Sequence, residues 1–389
     1  MPIIDMKDML KHARSNKYAV SSFTITNLDI LTAVIDAAEE NHSPVILIVP
    51  YHQVDDRTLK LLMPAIEAAA INTSVPVAIQ ARCNHDSQTA IKGINAGCNA
   101  LMLDNIDIDH IKNITKTAHD CGITVEGRLN NRPDVFEAIL FVEETNVDLL
   151  NLTMEGTSEG NITDPYLARS ILNELQVCQR AALVLNVNSN LNEEHCHQYI
   201  AHGIVKVNFD TLLQDVIDTH LCISQEDTFT GYSNLMLGIH AIVRSEAAAC
   251  MQLCQSNGKA KAMLNHCTPW LPIEHLIIFN VSDIDDVQAK AMMTEGKKSL
   301  STLPGVRSVV TATAIKEDAQ FRFSWLIRFC HPSVIDSYRD HPVHVDFADR
   351  LFRPVAGDRI SIDYQWNSDQ AQQEEVTGLL PPLMVVENA

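Results

Sequence analysis

Between residues 18 and 225, short apolar runs alternate with amphipathic stretches. The runs are Tyr18–Phe23, Val45–Val49, Val75–Ile79, Ala100–Leu103, Ile123–Leu129, Asp148–Thr153, Ala182–Val187 and Ile204–Phe209. Runs that are apolar throughout, rather than alternating, suit parallel strands covered on both faces. The stretches between them carry helical spacing. Leu28, Leu31, Val34, Ile35 and Ala38 follow a cap at Asn27. Asp86, Asp107, Asp134 and Asp164 stand near other helix starts, where a carboxylate suits the dipole. Eight strand–helix units predict an α/β fold, a (βα)8 TIM barrel over residues 1–258. Any site would lie at the C-terminal strand ends.

The pattern changes after Asn257-Gly258-Lys259, where a helix from about Tyr232 to Gln255 ends the barrel region. Residues 259–272, with Pro269 and Pro272, read as a linker. The unit over 273–366 runs strand His275–Val281, helix Asp285–Leu303, strands Val306–Ala314 and Phe321–Phe329, helices near Pro332–Arg339 and His344–Phe352, and strand Arg359–Gln365. This β-α-β-β-α-β order with alternating strand residues predicts a smaller α+β sheet domain. Residues 367–389 mix Gln, Glu and Pro and read as a tail.

Composition narrows the partners. The chain has 389 residues, 46% of them hydrophobic and 20% charged, with a formal charge of −20. A pI near 5.1 opposes nucleic acid and anionic lipid, so neither nucleic acid nor membrane is expected as a partner. No apolar run approaches the ~20 residues that span a bilayer, and the N-terminus carries no signal-peptide pattern. Ten cysteines without such a signal point to reduced thiols and a cytoplasmic location. Cys250 and Cys254 share a helix face, but the adjoining Ala247-Ala248-Ala249 reads as tight helix packing rather than a metal site.

The first 258 residues resemble the class II fructose-bisphosphate and tagatose-bisphosphate aldolases. Met6-Lys7-Asp8-Met9-Leu10, Lys17-Tyr18-Ala19-Val20, Ser43-Pro44-Val45-Ile46-Leu47, Val75-Pro76-Val77-Ala78-Ile79 and Lys206-Val207-Asn208-Phe209-Asp210-Thr211 carry the likeness. The resemblance implies a (βα)8 barrel in which three histidines hold zinc and an aspartate moves the proton. Zinc would stabilise an enediolate there, and the carboxylate would serve as acid and base.

The family's His-Leu-Asp-His-Gly is replaced here by Gln80-Ala81-Arg82-Cys83-Asn84. By that comparison Arg82 stands for the catalytic acid, and Cys83, Ser158 (or Glu159) and Asn186 stand for the metal histidines. Glu-Ala-Glu-Leu-Gly becomes Glu126-Gly127-Arg128-Leu129-Asn130. One thiolate without histidines makes no stable zinc site, so no cofactor is expected. Of the implied phosphate cradle, Ser189, Asn208, Asp210 and Thr211 remain, while Val187 and Asn188 replace its paired glycines. Asn208 and Asp210 serve equally well as caps on the last strand.

Arg82 and Arg128, with Arg132 nearby, admit two readings. They form a metal-free site for a small anionic metabolite, or they pair with Asp104 and Glu126 and plug the barrel.

Residues 273–366 resemble the stress-responsive A/B barrel (Dabb) family through His275-Leu276-Ile277-Ile278-Phe279, Leu303-Pro304-Gly305-Val306 and Tyr338-Arg339-Asp340-His341-Pro342-Val343-His344. The resemblance implies a ferredoxin-like dimer enclosing a cavity. In one member a Tyr and a His aligned with Tyr338 and His344 perform an aldol-type cyclisation, and a histidine beside a phenol suits base catalysis. The same residues also suit a helix start.

Three functions follow. The first is a pseudo-aldolase barrel dimerised by the Dabb domain. The second is a metal-independent lyase or cyclase using Arg82 and Arg128 or Tyr338 and His344. The third is a divergent zinc aldolase recruiting Cys83 and histidines from elsewhere, such as His85, the one case that requires zinc. A homodimer or higher homo-oligomer is expected in each.

Overall fold

The computed structural model describes residues 3–51, 53–84, 87–104, 107–129, 135–153, 181–187, 193–226 and 231–366. Ser158, Ser189, Arg132, His85 and the tail 367–389 lie outside these residues.

The eight apolar runs become eight parallel strands: β1 (Val20–Thr24), β2 (Val45–Pro50), β3 (Val77–Asn84), β4 (Ala100–Asp104), β5 (Thr124–Leu129), β6 (Leu149–Thr153), β7 (Ala182–Asn186) and β8 (Ile204–Phe209). They close into a barrel in sequence order. Closure is made by β1 on β8, with Val20 opposite Lys206 and Ser22 opposite Asn208.

Two apolar clusters follow from strand parity. Val20, Ile46, Ala78, Ala100, Leu149 and Val184 point to the axis and meet the first helix, α1 (Met6–Ser15), through Met6, Met9, Leu10 and Ala13. Helix α1 is capped by the Asp5 side chain, which accepts from the amides of Lys7 and Asp8. Ile4 bonds to the start of β3, its amide donating to the Val77 carbonyl at 3.1 Å. The N-terminal mouth of the barrel is therefore plugged by apolar side chains. The opposite parity, with Ile79, Ala81, Cys83 and Leu101, joins the outer core under the helices.

The described helices of that outer layer are α2 (Leu28–Glu40), α3 (Asp56–Asn72), α4 (Ser87–Asn95), α5 (Ile108–Asp120), α6 (Val135–Thr145), α7 (Glu193–Ala201), α8 (Leu212–Glu226) and α9 (Tyr232–Leu253). The stretch read as a linker contains one short helix, α10 (Ala260–Leu264).

The C-terminal domain is a four-stranded antiparallel sheet of β9 (Ile273–Val281), β10 (Val306–Thr313), β11 (Phe323–Phe329) and β12 (Ala356–Gln365), in the order β10-β11-β9-β12. Helix α11 (Asp286–Leu300) starts in a capping box made by Asp285 and Gln288. Helix α12 (Val334–Asp340) ends at His341, which also caps α13 (Pro342–Phe347); a single π turn follows over Ala348–Phe352. The sequence placed this last helix from His344. It begins two residues earlier because Pro342 suits a first helical position, where no amide donor is needed.

No helix among the described residues is long and apolar enough to cross a membrane.

Candidate functional site

The barrel axis is apolar at its N-terminal end and polar above. Six inward side chains form one network around Glu126. Lys206 Nζ donates to Glu126 Oε2 at 2.5 Å and to Gln80 Oε1 at 2.7 Å. Gln80 Nε2 donates to Glu126 Oε2 at 3.0 Å. The other carboxylate oxygen accepts from Asn151 at 2.7 Å and from Asn208 at 3.0 Å. Ser22 in turn donates to Asn208 Oδ1 at 2.6 Å. All six are buried. Burial alone would push the Glu126 carboxyl up, but Lys206 and the donated hydrogen bonds outweigh it and hold it below its ordinary value. For Lys206, burial works against the ammonium and Glu126 opposes that effect.

One layer nearer the C-terminal strand ends, Arg82 spans two carboxylates. Its Nε donates to Asp104 Oδ2 at 2.6 Å, and its Nη1 lies 3.1 Å from Asp210 Oδ2. Burial opposes the guanidinium charge, but Asp210 and Asp104 more than offset that and keep it charged. Arg128 Nη1 stands 4.0 Å from the same Asp104 oxygen. Of the two sequence readings, the plug is met with a different set of partners. Asp104 pairs with Arg82 as anticipated. Glu126 is taken by Lys206 rather than by an arginine, and Asp210 completes the bridge. Sequence reasoning missed Lys206, Gln80 and Asn151. The available signal was a lone lysine inside an apolar strand run.

The other barrel candidates are dispersed. Cys83 follows the outward parity of β3 and packs in the outer core, away from the axis. Asn186 ends β7 and faces inward, with Oδ1 buried and unpartnered. Thr211 donates to Asp215 at 3.1 Å. Among the described residues, no three His, Cys, Asp or Glu side chains come together as metal ligands. The axis-facing polar groups on the described strand ends are guanidinium, carboxylate, amide and hydroxyl groups. Zinc's usual histidine and thiolate donors are not among them, so this set does not fit the ion.

The C-terminal domain holds a second grouping. A cavity of about 390 Å³ lies between the sheet and α12–α13, lined by His275, Trp325, Phe329, Tyr338, His344 and Asp363 among others. The Tyr338 and His344 rings are 4.5 Å apart. His344 Nδ1 lies 2.9 Å from the Arg339 carbonyl, which only accepts, so Nδ1 carries the proton and Nε2 is left as an acceptor. Burial lowers the His344 pKa and favours the neutral ring, and it raises that of the Tyr338 phenol. His275 donates from Nδ1 to Asp363 Oδ1 at 2.6 Å. Sequence reasoning named Tyr338 and His344 but not His275 and Asp363.

Comparison with known proteins fits this architecture. Residues 4–259 match the family model for fructose-bisphosphate aldolase class-II. The chain belongs to the class II fructose-bisphosphate aldolase family. Residues 273–366 match the stress responsive A/B barrel domain. A fructose-bisphosphate aldolase of Staphylococcus epidermidis is 25% identical over 238 residues, covering 54% of this chain and 82% of that protein. A sulfofructosephosphate aldolase of Alkalicoccus urumqiensis is 27% identical over 237 residues, covering 55% and 82%. Among solved structures, the YdjI aldolase of Escherichia coli K12 superimposes with a TM-score of 0.59 at 26% identity. It covers 66% of this chain and 99% of that one.

Proposed function

We propose that this aldolase-family barrel has left zinc-dependent aldol cleavage, and that its Dabb domain joins two copies of the chain. The position of Arg82 carries the reading. Zinc catalysis needs three donors converging on one open coordination site, with a free carboxylate beside it. Here a fixed positive charge stands at the strand ends and occupies both Asp104 and Asp210. A metal ion in that place would meet like charge and find its acidic neighbours already engaged. Cys83, turned into the outer core, supplies no ligand to the axis, which leaves a divergent zinc aldolase without the thiolate it would recruit. An anionic metabolite is equally poorly served, because it would have to displace a carboxylate from Arg82.

Protein dialysed against zinc and then freed of excess metal is expected to hold far less than one equivalent. It should leave fructose 1,6-bisphosphate uncleaved. Near-stoichiometric zinc together with cleavage would overturn the proposal.

Dimerisation is supported by one face of the C-terminal sheet. The face toward α11–α13 buries Phe323, Trp325, Ile327 and Phe329. The other face sets Val310, Leu326, Leu276 and Ile362 side by side across four strands, and Val310, Leu326 and Ile362 are exposed. Such a row is what a second sheet would cover.

A second reading, a metal-independent lyase or cyclase in the Dabb cavity, is favoured by the His344 tautomer. An unprotonated Nε2 beside a buried phenol is arranged as a base with a hydrogen-bond donor. Activity of this kind would rise with pH as His344 loses its proton and vanish in His344→Ala. A flat pH profile would count against it.

A further inference from the structure

Among the described residues, the C-terminal end of the barrel holds more hydrogen-bond acceptors than its donors satisfy. Six buried side-chain oxygens of the described residues there have no partner: Thr24 Oγ1, Asn84 Oδ1, Asp104 Oδ1, Asn151 Oδ1, Asn186 Oδ1 and Asp210 Oδ1. They come from β1, β3, β4, β6, β7 and the residue after β8. The other unpartnered buried atoms among the described residues lie on α5, on α7 and at Tyr51, so the clustering there belongs to the strand ends. Parity turns all six toward the axis. Thr24 follows Ser22, which bonds Asn208 inside the barrel, and Asn84 follows Arg82. Asp104 and Asn151 are only 2% and 1% exposed. Buried polar atoms are normally paired, so a converging set of unpaired acceptors calls for an external donor.

Charge and donor supply narrow what that donor is. Arg82 and Arg128 are matched by Asp104 and Asp210, two charges of each sign. A phosphate would add negative charge beside two carboxylates. Three donors that a phosphate could use are also spent inside the protein. The Val187 amide donates to the Asn208 carbonyl at 3.0 Å, the Asn208 amide to Glu126 and the Thr211 hydroxyl to Asp215. Apart from the Thr24 hydroxyl, which both donates and accepts, the unpartnered capacity is therefore acceptor capacity. The Asn84 and Asn186 amides can also turn and present an N–H. A hydroxyl group, which donates and accepts at once, satisfies either orientation.

We infer that the barrel mouth binds an uncharged polyhydroxylated ligand, its hydroxyls donating to this ring of oxygens and its recognition independent of phosphate. The inference rests on the reading that zinc chemistry is absent, since a metal would claim the same carboxylates.

The test is equilibrium dialysis of the full-length protein with D-fructose, sorbitol and myo-inositol, against D-fructose 1,6-bisphosphate as the phosphate probe. At least one neutral probe should bind saturably with a dissociation constant at or below about 1 mM. It should weaken about tenfold in Asn84→Ala and Asn186→Ala, the loss of roughly one hydrogen bond. Thr24→Val, which keeps the side-chain shape, provides the same readout should an Asn variant fail to fold. Tighter binding of the bisphosphate than of fructose would overturn the inference. So would the absence of saturable binding by every neutral probe, which would leave the oxygens hydrated by water alone. Zinc measured on the same samples separates the two levels. Stoichiometric metal sinks the parent reading, whereas zinc-free protein that binds no polyol sinks only this one.

Discussion

At the residue scale, the decisive pair is Lys206 and Glu126, an ion pair with 0% exposure on either side. Neither charge is tolerable alone at that depth. The pair persists because Gln80, Asn151 and Asn208 satisfy the remaining donors and acceptors. Glu126→Gln should therefore destabilise the protein by about 3–5 kcal/mol, while Glu126→Gln with Lys206→Met should recover most of that loss. Urea unfolding of the three proteins checks it, and a single variant as stable as the parent would contradict the account. The pH dependence has a definite sign. Glu126 is held below its ordinary value in the fold. Its contribution is thus fully present above the unfolded pKa of about 4.3 and is lost as pH falls through the depressed folded one. Sequence showed part of this scale. Arg82, Arg128 and Asp104 were visible as charged replacements on strand ends. The Lys206 network was not, because Gln80, Glu126 and Lys206 come from three distant strands, and only barrel closure brings them together.

At the element scale, periodicity carried most of the information. Continuous apolar runs marked strands buried on both sides, and all eight barrel strands fall on such runs. In the C-terminal sheet the alternation on β11 marks one face covered by helices and one face open. The start of α13 escaped because His341 ends one helix and caps the next, a double role that spacing alone does not display. The open face gives a clear expectation. Leu326→Glu places a charge in the middle of the apolar row without disturbing Trp325 or Ile327 on the packed side. Sedimentation velocity at about 10 μM should then show a dimer for the parent and a monomer for the variant, with unchanged circular dichroism. A parent protein that sediments as a monomer would remove the dimer proposal.

At the scale of the whole molecule, the two domains share a junction that no local pattern announced. Arg307 on β10 reaches Glu67 on α3 in a bidentate pair, both contacts at 2.7 Å. Asn95 on α4 accepts from the Gly305 amide at 2.8 Å and donates to the Leu303 carbonyl at 3.0 Å. Trp270 and His331 stack with ring centroids 4.3 Å apart. The partners are separated by up to 240 positions in sequence, so the spacing of either half holds no trace of the other. Gly305 adds a backbone requirement, since at φ +82° a β-carbon would stand 2.5 Å from Val334. Burial opposes the Arg307 charge, and Glu67 more than restores it. Glu67→Gln therefore leaves a half-buried guanidinium without its carboxylate, and about 1–2 kcal/mol of stability should be lost, less than for a fully buried pair. The same junction predicts acid sensitivity. Burial lowers the His331 pKa, so the unfolded chain binds a proton that the fold resists. Stability then declines as pH drops below about 6.5 and continues to fall until the depressed folded value is passed. Limited proteolysis within 259–272 at pH 7.5 and 5.5 reads both effects. Cleavage should accelerate at the lower pH in the parent, and at both values in Glu67→Gln. Equal rates in all four samples would mean that the junction does not hold the domains together.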